Sequence, residues 1–186
     1  MRKPNGIIEF PSKNEYPGYA EMYMKWVVRD GSLLGQLENS AEKTGKLMRA
    51  LSDEALNFRY REDKWSVKEV LVHIIDDERI YAYRALSFAR NDKTNLPGFE
   101  QDDYTANSDS SDRPVETVIE EYEAVRRATI ALFKGFSQRS LLRKGIANGN
   151  KASVRALGYH ILGHELHHIN IIENVYLKAL KTGHRY

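Results

Sequence analysis

Apolar residues recur at three- and four-residue steps in four stretches of this chain, and each stretch predicts an amphipathic helix. Leu34, Leu37, Ala41, Thr44, Met48 and Leu51 mark one face of a helix from about Ser32 to Leu51, with Asp30-Gly31-Ser32 as its start signal. Val67, Val70, Ile74, Tyr81, Ala85 and Phe88 mark a second. It opens at Ser66-Val67-Lys68-Glu69, the spacing of a capping box, in which the serine oxygen takes a free amide and the glutamate reaches back. Within it Val70 to Ile75 reads VLVHII, apolar nearly all round. That turn predicts cover on more than one side, by the bundle and by a second subunit.

Val115, Val118, Ile119, Tyr122, Val125, Thr129, Leu132, Phe133 and Phe136 give the face of a third helix, opening near Pro114. The fourth runs from about Ser153 to about Lys181, with Gly183 as its stop. No stretch alternates with period two over a strand's length, so essentially no sheet is expected. The pattern predicts an all-α fold, a four-helix bundle with long connecting loops, as one domain over 1–186. Residues 1–31, with Pro11, Pro17 and several tyrosines in the stretch to Arg29, read as a segment wrapping the bundle, and 91–113 as a long loop.

Composition narrows the chemistry. The 186 residues include no cysteine, which excludes a disulfide framework, an iron–sulfur cluster, a thiolate zinc site and a protein thiol nucleophile. No apolar run approaches a membrane span and the first residues lack an apolar signal core, so a cytoplasmic protein with no membrane partner is expected. A net charge of +2 argues against a general nucleic-acid binder. The charge is uneven, acidic over 92–123 and basic over 134–186. The plainer reading is two solvated faces. The sharper one is that the basic stretch from Arg139 to Arg155 receives an anionic ligand, with Arg143, Lys144 and Arg155 as its candidates.

Five of the six histidines, His160, His164, His167, His168 and His184, lie after residue 159. At about 100° per residue, His160 and His168 fall about 40° either side of His164, in the middle of the apolar stripe, with His167 at its edge. Buried imidazoles without partners cost about 1–3 kcal/mol each. Their i, i+4 spacing sets neighbouring rings about 6 Å apart along the axis, so two can converge on one ion. The outer pair, about 12 Å apart, cannot both join them. A third ligand must come from another helix. His73, in VLVHII, is the histidine available there, although its phase is some 90° off the centre of the main stripe by the same rule. Asp77, one turn on, flanks it as a partner for a ligand or an open-face ligand. Residues 164–168 also match H-E-x-x-H, which would make Glu165 a general base. An all-helical chain offers no strand to hold a peptide, and a protease is not favoured. Three imidazoles without thiolate suit zinc or nickel, with iron, manganese and copper also compatible, and leave positions open for water or substrate.

Three stretches carry a resemblance: KWSVKEVLVHIIDDERIYAYRALSFARND (64–92), LPGFEQDDY (96–104) and ANGNKASVRALGYHILGHELHHINII (147–172). In these the chain resembles the DinB superfamily and its YfiT-related branch, from about Tyr16 to Tyr176. The resemblance implies a four-helix bundle holding a divalent metal on three histidines, here His73, His164 and His168, with His160 and His167 as neighbours. It also implies frequent pairing as a homodimer. Some relatives look like metal-dependent hydrolases; others use the metal to activate a low-molecular-weight thiol, such as bacillithiol or mycothiol, for S-transfer or isomerisation. Three readings follow, the first two on small-molecule substrates. One is a metal-dependent S-transferase whose thiol carboxylates sit on Arg143, Lys144 and Arg155. Another is a metal-dependent hydrolase with Asp77 or Glu165 as base. The last is a non-catalytic metal-binding stress-response module. Gln101 and Asp102, in the LPGF loop, could close over the site, and Trp65 reads as packing at the mouth of the second helix.

Overall fold

The computed structural model describes residues 6–183; His184 and the first five residues lie outside them. Short turns at Lys13–Glu15 and Gly18–Ala20 lead into α1 (Glu21–Met24), followed by α2 (Leu33–Arg49) and α3 (Asp53–Asn57). After these come α4 (Val67–Ala89), α5 (Gln101–Ala106), α6 (Val115–Lys134) and α7 (Gln138–Leu141). A hairpin of β1 (Lys144–Ala147) and β2 (Asn150–Ser153) precedes α8 (Val154–Ile171), a π turn (Ile172–Tyr176) and α9 (Leu177–Thr182).

The four long helices are those the apolar periodicity predicts. Ser66 and Glu69 form the capping box at the start of α4. Ser153 caps α8 by accepting from the Ala156 amide. Both ends are therefore written in local sequence, because a cap needs only the first turn. The arrangement of the helices is not local. α2 packs on α6 and α8, and α4 packs on the same two. The consecutive helices α2 and α4 thus stand at opposite corners of the bundle, as do α6 and α8. The long connections 50–66 and 90–114 make this crossed order reachable.

Two expectations are corrected. The chain does contain a small sheet: Lys144 pairs with Ser153 and Ala147 with Asn150, antiparallel. The turn residues Asn148 and Gly149 both have positive φ, 49° and 69°. That is the requirement of a type I′ hairpin turn, for which Asn-Gly is the favoured dipeptide. Strands of four residues are too short for their alternation to register. Second, VLVHII needs no other subunit to cover it. Val70, Leu71, Val72, His73, Ile74 and Ile75 are all buried within this one chain. The long loop 91–113 also holds α5, and Leu96 bridges to Ala147 at the hairpin.

The bundle has two apolar halves. One gathers Leu33, Leu37, Phe88, Phe133, Tyr159 and Leu162. The other gathers Met48, Leu71, Ile74, Ile119, Tyr122 and Ile172. Between them every long helix contributes buried polar groups: Ser40 and Thr44 from α2, His73, Asp77 and Glu78 from α4, Arg126 from α6, His164 and Glu165 from α8. This polar layer holds the candidate chemistry. No helix among the described residues is long and apolar enough to cross a membrane.

Residues 6–31 run along the bundle and close its histidine side. Ile8 donates to the Gly31 carbonyl at 3.0 Å, and the Tyr159 hydroxyl donates to the Ile8 carbonyl at 2.7 Å. α1 lies against α8 at Gly163, where a Cβ would stand 2.5 Å from the Tyr23 carbonyl oxygen. Backbone cannot give way there as a flexible side chain can. Gly163→Ala is expected to cost about 1–3 kcal/mol, the usual penalty of overpacking, and to lift Tyr23 and Trp26 away from the histidines. Urea denaturation followed by tryptophan fluorescence in a Trp65→Phe background, where Trp26 is the reporter, checks both effects; an unchanged midpoint and spectrum would sink the expectation.

Candidate metal centre

α4 and α8 run side by side through the polar layer, and their facing turns bring three histidines together. His73 Nε2 stands 3.0 Å from His164 Nε2, and His168 Nε2 stands 3.2 Å from the same atom. One ligand atom from each of the three lies within 4.8 Å of the others. Nitrogens bound to one ion at about 2.0–2.1 Å lie about 2.9–3.4 Å apart, so the spacing fits a shared cation. His73 and His164 are buried and His168 half-buried.

Hydrogen bonding alone does not explain the cluster. Asp77 Oδ2 lies 3.4 Å from His164 Nδ1 and 3.4 Å from His160 Nε2. A proton on His164 Nδ1, facing that carboxylate, leaves Nε2 with one lone pair. Both His73 and His168 aim at it. A cation accepts all three lone pairs at once, with Asp77 behind His164 as the carboxylate that fixes the ring and its tautomer. The donor set therefore fits a divalent transition metal, and three protein ligands leave coordination positions for a substrate.

Burial pushes the pKa of His73, His164 and His168 below the ordinary value, His168 to about 3. Burial opposes ionisation of Asp77, but the neighbouring His164 and His160 more than offset it and hold the carboxyl at about 2. Neutral imidazoles beside an ionised carboxylate are the state in which histidines take a metal. Stability must then depend on pH. In the unfolded chain these histidines gain protons near pH 6.5, whereas the fold refuses them. The unfolded state binds more protons below that pH, so the metal-free protein should weaken as pH falls from about 7 to 5. The slope is up to roughly 1.4 kcal/mol per pH unit for each histidine. Urea titrations at several pH values measure it, and a flat profile would show that the rings are not buried neutral.

Aromatic rings close the site. The Trp65 ring is 4.7 Å from that of His73. Tyr23 sets its edge against His160, His164 and His167 at 5.0, 5.2 and 5.5 Å. Such contacts fix the imidazole orientations and thin the surrounding water. Tyr23 and Trp26 carry no helical stripe of their own, so sequence periodicity could not place them here; Gly163, which lets α1 approach, is the one local signal.

The remaining sequence candidates fall elsewhere. Glu165 is fully buried but turns away from the histidines, into the Arg126 cluster. Its Oε1 accepts from Thr44 at 2.7 Å and from the Tyr122 hydroxyl; its Oε2 accepts from Ser40 and lies 2.8 Å from Arg126 Nη2. Burial raises its pKa, yet Arg126 and these hydrogen bonds bring it below the ordinary value. Its carboxylate is committed to the core, neither toward solvent nor toward the metal. Arg143, Lys144 and Arg155 also have partners inside the chain. Arg143 donates to the Ala89 carbonyl, and Lys144 to the Asn14 carbonyl at 3.2 Å. Arg155 donates through Nε to Glu15 Oε2 at 2.8 Å, and also binds Glu15 Oε1. This basic stretch ties the N-terminal segment and α4 to the hairpin and the start of α8. His160 joins Asp77 and stacks on Tyr81, and His167 lies beside Trp26 at 6.2 Å between ring centroids. Asp102, exposed on α5, is near enough for its charge to act on His73.

A four-helix bundle in crossed order, with three histidines of two facing helices gathered on one point, defines a class of metal-binding helical proteins. The chain belongs to the DinB superfamily, whose profile matches residues 36–172. A protein of Oceanobacillus iheyensis, bearing the provisional name of a metal-dependent hydrolase, is 29% identical over 138 residues, 73% of this chain and 79% of that one. Among solved structures, YfiT from Bacillus subtilis, described as a probable metal-dependent hydrolase with an unusual four-helix bundle topology, superposes with a TM-score of 0.70. It is 16% identical, and the match covers 94% of each chain. At that identity the likeness speaks for the fold.

Proposed function

We propose that this protein is a divalent-metal-dependent enzyme that activates a low-molecular-weight thiol for transfer to an electrophilic small molecule. The observation that carries this reading is the state of the two carboxylates beside the histidine helix. Asp77 stands behind the His164 ring, 3.4 Å from its Nδ1 and away from the Nε2 where the three histidines meet, and Glu165 is engaged by Arg126, Ser40, Thr44 and Tyr122. Neither is placed to take a proton from water at that point. A thiol needs less help: a coordinating metal deprotonates it outright, whereas zinc brings bound water only to a pKa of about 7. A divalent ion bound there would supply Lewis-acid activation, with the thiol proton passing to solvent rather than to a protein base. His73, His164 and His168 would hold the ion, Asp77 would orient His164, and Tyr23 and Trp65 would keep the histidine rings dry and fixed. The chain has no cysteine, so any sulfur nucleophile arrives as substrate.

The second reading is a metal-dependent hydrolase. It is favoured by the names of the two relatives and by Asp102, an exposed carboxylate whose charge reaches His73. Zinc- or nickel-loaded protein, assayed on monochlorobimane with and without bacillithiol or mycothiol and on p-nitrophenyl acetate, separates the two. Turnover that needs both metal and thiol supports the transferase. Metal-dependent ester hydrolysis without thiol, with no thiol conjugation, supports the hydrolase and overturns the first reading.

A further inference from the structure

The two helices that carry the histidines are gripped by a single side chain of a third. Arg126, on α6, is 1% exposed. Its Nε and Nη2 donate to the Glu78 carboxylate of α4 at 2.8–3.1 Å. Nη2 also lies 2.8 Å from Glu165 Oε2 of α8. Nη1 reaches α2, at 3.3 Å from the Leu37 carbonyl and 3.4 Å from Ser40 Oγ. All four long helices therefore meet at one guanidinium. Both carboxylates directly follow a residue of the metal centre: Glu78 follows Asp77, and Glu165 follows His164. Neighbours on a helix point about 100° apart and turn together. Whatever fixes the direction of Glu165 fixes that of His164, and Glu78 does the same for Asp77.

A three-nitrogen centre is sensitive to that direction. Side-chain tips stand about 5–6 Å from the helix axis, so turning α8 by about 15° carries a ring by about 1.5 Å. Groups that act together must be held within about 0.5 Å. His164 and His168 would both move relative to His73, whose Nε2 now lies 3.0 Å from that of His164. Apolar packing does not set a rotation so finely, because apolar side chains repack. The fixed fork of a guanidinium does. Stability gives no separate reason for three charges here, since well-packed apolar residues often replace a buried ion triad without loss.

We propose that Arg126 is a positioning residue for the metal centre. By holding Glu78 and Glu165 at once, it sets the rotation of α4 against α8 and so the distance at which His73 meets His164 and His168. It touches neither the ion nor a substrate. The assignment rests on the three-histidine centre and holds for either chemistry described above.

Cobalt(II), titrated into metal-stripped full-length protein, gives both an affinity and a visible band that reports coordination geometry. Arg126→Met combined with Glu78→Gln and Glu165→Gln leaves no charge in the cluster, so the fold should persist. That variant should bind cobalt at least about tenfold more weakly, the lower figure for losing a group that supports a ligand, and with a displaced band. Arg126→Lys keeps the charge and loses the fork. It should displace the band as well, and it serves as the test if the triple variant fails to fold. Ile130→Ala, one turn further along α6 and also buried, removes apolar packing alone and should keep the wild-type affinity and band. Wild-type affinity and band in the Arg126 variants overturn the proposal. Equal weakening in Ile130→Ala overturns it too, because the cause would then be a general loosening of α6. Failure of the centre itself reads differently: the wild type would bind no cobalt, which sinks the centre and the positioning role together.

Discussion

Replacing Arg126 by alanine is expected to cost about 3–5 kcal/mol of folding stability, the penalty of breaking a buried ion pair from one side. Arg126 is 1% exposed, and its guanidinium binds Glu78 through Nε and Nη2 at 2.8–3.1 Å and Glu165 at 2.8 Å. Without it two buried carboxylates face each other with no counter-charge. Arg126→Ala combined with Glu165→Gln should recover part of the loss, because one of the two charges is gone. The pH dependence follows in sign from Glu165. Its folded pKa lies below the ordinary value. The native contribution is therefore present above the unfolded carboxylate pKa of about 4.3 and is lost as pH falls through the folded one. In Arg126→Ala the Glu165 carboxyl, no longer held ionised by the guanidinium, can protonate in acid, so the difference from wild type should shrink there. Equilibrium urea denaturation at pH 7 and pH 4.5 measures both effects. A loss below about 1 kcal/mol at pH 7 would place these groups in contact with solvent.

His164→Ala should abolish stoichiometric metal binding, a larger loss than the roughly 10–100-fold expected from removing an outer-sphere partner. His164 is the centre of the cluster: both other rings aim at its Nε2, and Asp77 fixes its far side. His73→Ala and His168→Ala each leave two converging nitrogens and should bind more weakly than wild type. His160→Ala and His167→Ala should keep full occupancy. Elemental analysis of freshly purified variants decides the matter. Full occupancy in His164→Ala would mean that the three-histidine centre is misplaced.

The polar layer also explains the surroundings of Glu165 and VLVHII, which a helix-by-helix reading cannot give. Such a reading gives each helix one buried face and one wet face. α8 has no wet face along most of its length, because α1 approaches at Gly163 and covers what would be its back. Glu165, one residue and about 100° from His164, then faces α2 and α6 instead of water. α4 is enclosed in the same way by α6, α8, α5 and α3. A histidine about 90° off its main stripe still lands inside the protein, against α8.

What the sequence by itself determined is what depends on neighbours within a turn or two. The extents of the four long helices, the serine caps of α4 and α8 and the i, i+4 pair His164 and His168 all follow from periodicity and first-turn chemistry. The Asn148-Gly149 turn was equally local, but its strands were too short for their pattern to show. Only the tertiary structure decided the rest. It set the crossed order of the helices and brought His73 to His164. It gave Arg143 and Lys144 backbone carbonyls as partners, Arg155 the Glu15 carboxylate, and Arg126 two buried carboxylates. These are pairings across many tens of residues. Every cation reads alike along the chain, and only packing settles which of them meets a carboxylate and which a backbone carbonyl.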